Sequence, residues 1–150
     1  MDPLTEENHK EKIESMSLDA WKPLLDLIPV IEVAETFGIP GSLSETDDDT
    51  FSYHPSKQSR VIHDFLDAVY QIPVIIDFAW ANWDEGRKLA GNPDTDYDSV
   101  DIPTKCKLIT AFVRNDRFCD GVLLERFEDG TILRILKSIR RQIHQTGKGD

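Results

Sequence analysis

No apolar run in this chain approaches the roughly 18 consecutive residues that a membrane-spanning helix needs. Cysteine is scarce: Cys106 and Cys119 are the only two in 150 residues, which excludes a disulfide-built scaffold. With 8 Gly and 8 Pro the chain is neither collagen-like nor a low-complexity polymer. Basic residues are in deficit as well. Asp plus Glu number 28 against 17 Lys plus Arg, and the net charge of −11 sets up a field that repels phosphate backbones and anionic lipid. Neither nucleic acid nor a membrane is therefore an expected partner. The opening MDPLTEENHKEKIES has neither the basic n-region nor the apolar h-region of a signal peptide, so the expectation is a cytoplasmic protein with both cysteines kept as thiols. What remains is 39% apolar and 30% charged side chains, the profile of one compact soluble domain. A chain of this length buries roughly 68 to 70% of its unfolded surface and needs no metal or disulfide to fold.

The charge is unevenly spread. Residues 1–50 carry −10, 51–100 carry −4 and 101–150 carry +3. The acidic first third and the basic last third can pack against each other, or leave the molecule bipolar. No internal repeat and no Ser/Gly or Pro-rich linker divides the chain, so residues 1–16 read as a polar arm or frayed helix and 17–146 as a single helical domain.

Apolar spacing orders the elements. Ser17 caps a helix with the stripe Leu18, Trp21, Leu25, Ile28 and Ile31, which Pro29 should kink or break. Residues 38–56 combine turn formers with an Asp run and read as a long surface loop. Ser56 should cap a second helix carrying Ile62, Phe65, Leu66 and Val69 and ending before Pro73, and Val74-Ile75-Ile76 reads as a buried connector rather than a strand. A short helix ends near Gly91-Asn92-Pro93. Asp101, with Pro103 in the first turn, caps a helix buried through Cys106, Ile109, Phe112 and Val113. Two more follow, one with Val122, Leu123, Leu124 and Phe127, the last with Ile132, Ile135, Leu136, Ile139 and Ile143. The fold class predicted is all-α, with five or six helices. Residues 106–113, 122–127 and 132–143 should make a C-terminal three-helix unit, with 62–69 and 21–31 packed across it.

Three words in residues 83–137, WDEGRKLAG, TKCKLITAFVRNDRFCDG and LLERFEDGTILRILK, carry a resemblance. The chain resembles a family of small, mostly bacterial helical proteins known only as a domain of unknown function. The resemblance extends weakly over the first helix and residues 61–70. It implies size and helicity, and transfers no catalytic residue, cofactor or partner.

The densest polar cluster is Arg114, Asn115, Asp116 and Arg117, followed by Cys119 and Asp120. Arginines three apart share a helix face and can clamp a carboxylate or phosphate, with Asp116 or Asp120 as base and Cys119 as nucleophile. The structural alternative pairs Arg114 and Arg117 with Glu125, Glu128 or Asp120 at a helix C-terminus, and the balance lies with it. Phe78, Trp80 and Trp83 beside Arg87 form the second cluster, either core or a partner surface of the kind Trp and Arg dominate. Asp94, Asp96 and Asp98 match the first positions of a calcium loop, but Ser99 stands where Gly is needed and Lys105 where Glu is needed, so a solvated acidic loop is expected. Asp47-Asp48-Asp49 reads likewise as a solvated run. His9, His54, His63 and His144 show no ligand spacing. No metal or cofactor is expected, and no nucleotide-binding or hydrolase motif is present in the sequence. The leading reading is thus a small acidic protein-binding module, of an interaction or inhibitor type, without catalysis. The alternative is an enzyme or anionic-ligand binder built on Arg114–Arg117.

Overall fold

The computed structural model describes residues 6–45 and 50–147. The Asp47–Asp49 run and residues 148–150 of the tail lie outside them. The chain runs α1 (Glu6–Ser15), α2 (Leu18–Leu25), α3 (Ile28–Val33), β1 (Gly38–Ile39), β2 (Ser42–Glu45), β3 (Phe51–His54), β4 (Lys57–Gln58), α4 (Arg60–Gln71), α5 (Asp84–Gly91), α6 (Ile102–Asp116), α7 (Val122–Glu128) and α8 (Thr131–Gly147). Single 3-10 turns stand at Trp80–Asn82 and Tyr97–Ser99. The molecule is mostly helical, but it is not all-α and has more helices than the five or six expected.

The correction lies in residues 38–58. β1 pairs with β4 and β2 with β3, both antiparallel, so the expected loop is a paired hairpin on the surface. Every residue of β2 and β3 is exposed, and no buried face imposes the apolar alternation by which strands are read. A two-stranded hairpin is marginal alone. Here the surrounding backbone is tied down at its base, where Phe37 N donates to Glu128 Oε1 at 3.1 Å and Ser59 N to Phe37 O at 2.9 Å. The second helix is consequently capped at Ser59 rather than Ser56.

Elsewhere the local chemistry acts as expected. Ser17 Oγ accepts from Ala20 N at 3.2 Å and Asp101 Oδ1 from Thr104 N at 2.9 Å, each satisfying a helix N-terminal donor. Pro29 lies in the first turn of α3 after a break at Asp26-Leu27, and Leu24 rather than Leu25 is buried with Trp21 in α2. Val74-Ile75-Ile76 is a connector with Val74 and Ile76 buried, and Ile76 N donates to Thr110 Oγ1 at 3.2 Å. The helix α1 packs on α6 and buries His9 and Ile13. Burial lowers the His9 pKa, outweighing backbone hydrogen bonds with Pro73 and Val74 that raise it.

Helices α6, α7 and α8 pack on one another, and α2 and α3 lie against α8. At the centre sits Phe127, 5.1 Å edge-on from Phe65 of α4 and 5.3 Å from Phe37. That ring joins three parts of the chain. Phe127→Ala should cost about 3 to 5 kcal/mol of unfolding free energy in a denaturant titration; a loss under 1 kcal/mol would show that α7 is not central to the core.

Candidate functional site

The turn between α6 and α7 places the Arg114–Asp120 residues in different environments. Asn115 O accepts from Phe118 N and Cys119 N at 3.0 and 2.8 Å, which closes α6. Gly121, at φ 93, then starts α7 in a left-handed conformation that favours glycine. Asp116 points inward, taking Gln58 Nε2 on one oxygen and Leu123 N on the other, both at 3.1 Å. Asp120 faces the hairpin: its carboxylate accepts from Tyr53 OH at 2.5 Å and from Ser56 N and Oγ at 2.8 and 2.7 Å. The Tyr53 bond first, then those from Ser56, hold the Asp120 carboxyl below the usual carboxylate range, and the same bond pushes the Tyr53 phenol up. Arg117 donates to Tyr70 OH at 3.2 Å. The Arg114 side chain makes no hydrogen bond or ion pair among the described residues, and Cys119 is exposed. The arginines and acids do not converge on a clamp. Both acids serve as anchors, one for α7 and one for the hairpin.

One residue of that cluster, Asn115, meets the other cluster. Trp80 stacks on Phe118 with centroids 5.9 Å apart and planes at 29°, and Phe118 is 77% exposed. Trp83 packs edge-on to Phe78, and the Lys107 ammonium lies 4.8 and 4.7 Å from the two ring centroids while pairing with Glu6 at 2.8 Å. Gly86 lets α5 lie on Trp83, since a Cβ there would stand 2.2 Å from the indole. Between α5, α6 and α7 this leaves a groove of about 410 Å³, walled by Trp80, Trp83 and Phe112, with Asn115, Arg87 and Arg126 at its edges. Arg87 is held by Ala81 O and, at 3.5 Å, by Asp84. The Arg126 guanidinium lies 5.3 Å over Phe112 and meets Asp129 at 3.2 Å. Among the described residues, no Asp or Glu lines the groove. A cleft of about 900 Å³ at the ends of α1 and α8 gathers none of the site residues expected from sequence.

The acidic loop before α6 is more structured than expected. Asp98 accepts from Ser138 Oγ at 2.6 Å and from Arg141 Nε at 3.1 Å, which lowers its pKa, while Tyr97 is buried beneath Arg134. Lys105, fully buried, donates to Ser138 Oγ at 2.6 Å and Gln142 Oε1 at 2.7 Å. A Lys–Ser contact can activate a nucleophile, but both side chains are sealed from solvent and the hydroxyl proton is directed to Asp98. The set is a strut between α6, α8 and the loop. Burial lowers the Lys105 pKa to about 8. Sequence reasoning missed Lys105, Ser138, Phe112 and Arg126 as partners in these sites; the available signals were Lys105 and Ser138 on otherwise apolar stripes and Arg126 three residues before Asp129.

Fold and groove together define a small, mostly helical protein with an aromatic groove edged by arginines. The chain belongs to the DUF6508 family, a family of unknown function whose model matches residues 16–145. The matched span holds every residue of the groove. No curated protein and no solved structure matches the chain. No helix among the described residues is long and apolar enough to cross a membrane.

Two outcomes follow from the anchors. Asp120→Ala should lower hydrogen-exchange protection of the β2 and β3 amides while α8 keeps its own. In the unaltered chain, the contribution of Asp120 is present above the ordinary carboxylate pKa and lost as pH falls through its lowered one; unchanged hairpin exchange in the variant would remove Asp120 from this role. For Lys105, between its folded pKa of about 8 and the ordinary 10.5 the unfolded chain binds more protons, so the Lys105 contribution to stability rises with pH across that window. The Cys106 thiol, pushed up by burial, slopes the other way. The quantity to measure is therefore the stability difference between the chain and Lys105→Met, which should grow with pH by less than about 1.4 kcal/mol per unit; a flat difference would contradict a depressed lysine.

Proposed function

We propose that the chain is a protein-binding module whose contact surface is the shelf formed by Trp80 and Phe118 together with the groove beside it. The observation that carries this reading is the exposure of Phe118, a large ring 77% open to solvent yet held in place by stacking on Trp80. A rigid aromatic shelf next to arginines has the composition of a binding hot spot, because such side chains bury much apolar area at small conformational cost. The internal use of Asp116, Asp120 and Arg117 weighs against a ligand clamp at the α6–α7 turn and leaves its outer surface as a platform.

Affinity capture from the native lysate tests the reading with three proteins: the unaltered chain, Trp80→Ala/Phe118→Ala, and Leu43→Ser/Phe51→Ser in the hairpin. The expected result is a partner retained by the unaltered chain and the hairpin variant and lost by the shelf variant. Equal retention by all three, or loss only with the hairpin variant, would move the contact surface elsewhere.

A further inference from the structure

Resting on that reading, we propose that the groove beside the shelf receives an acidic-aromatic segment of the partner, with a large apolar side chain between Trp80, Trp83 and Phe112 and a neighbouring carboxylate at Arg126 and Asn115. Charge gives the first argument. In a chain of net charge −11 the groove is lined, among the described residues, by two arginines and no acid. Half of its lining, Arg126 and Asn115 included, comes from residues 101–150, the third of the chain that carries +3. The ion-pair partners of the two arginines, Asp84 and Asp129, are not among the lining residues, so the guanidiniums are the charged groups that a docked segment touches.

Available hydrogen-bonding capacity gives the second. Asp129 engages Arg126 through Nη1, and Nε and Nη2 have no partner among the described residues. The Asn115 side-chain amide has none either. The stacking of Arg126 over Phe112 fixes the plane of the guanidinium before anything binds, which reduces the entropy lost in accepting a carboxylate. Shape gives the third: Gly86, Ala90 and Ala111 keep the floor low between aromatic walls, and about 410 Å³ falls within the range of ligand-receiving clefts.

The test follows the backbone amides and indole N–H signals of the full chain by NMR while capped pentapeptides Gly-Asp-Phe-Asp-Gly, Gly-Asn-Phe-Asn-Gly, Gly-Lys-Phe-Lys-Gly and Gly-Asp-Ala-Asp-Gly are titrated in, with free 3-phenylpropionate as a further arm. The Asp-Phe-Asp peptide should bind most tightly and shift Trp80, Trp83 and Asn115. Arg126→Gln should weaken it about tenfold, the scale of one charge-assisted hydrogen bond, while changing the affinity of the Asn-Phe-Asn peptide little. A variant that merely damaged the fold would weaken both. Equal binding of all four peptides, preference for the lysine peptide, or binding of phenylpropionate without the peptides overturns the assignment. Failure of every probe alongside shelf-dependent capture of a protein refutes this partner chemistry and leaves the protein-binding reading standing. Asp-Phe-Asp binding without any shelf-dependent capture does the reverse.

Discussion

The carboxylate of Asp116 sits where α6 ends, α7 begins and β4 passes, and it serves all three. One oxygen takes the first orphan donor region of α7 through Leu123 N, and the other takes the amide of Gln58. A helix of seven residues has little stability of its own. Held at its start by Asp116 and in the core by Phe127, α7 becomes the support for both neighbouring features: Glu128 at its end ties down Phe37 below the hairpin, and Val122 and Arg126 complete the groove. The hairpin and the groove both depend on one short helix.

Much of the helical framework was legible because its causes are local. Ser17 and Asp101 cap their helices through their own side chains, Pro29 starts a new helix because it lacks an N–H, and the α8 stripe repeats with the helical period. The hairpin was not legible, for its eight paired central residues are all exposed and its anchors, Asp120 and Glu128, lie more than sixty residues away. Ser56 looked like a helix cap for the same reason: nothing near it in sequence shows that Asp120 engages its hydroxyl.

The groove was half legible. Trp80, Trp83 and Arg87 stood out by type, and Asn115 stood out within a polar cluster, but only the packing of α5 on α6 brings the two groups together. The spacing of Arg114 and Arg117 suggested a shared clamp. The structure instead ends the helix at Asp116, between the two, and directs Arg117 to Tyr70. Lys105 shows the converse case, a charge on an apolar stripe whose partner, Ser138, lies on an apolar stripe of another helix. Two such interruptions facing one another are a polar contact that neither stripe reveals alone.

The two cysteines differ in chemistry as well as in place. Cys106 is sealed in the core, where burial keeps its sulfur protonated and out of reach of reagents. Cys119 is exposed, one residue beyond the ring that stacks on Trp80. The folded chain therefore carries a natural attachment point at the rim of its aromatic shelf: a thiol-directed dye or cross-linker finds one accessible sulfur, and places its label where a docking partner would meet it.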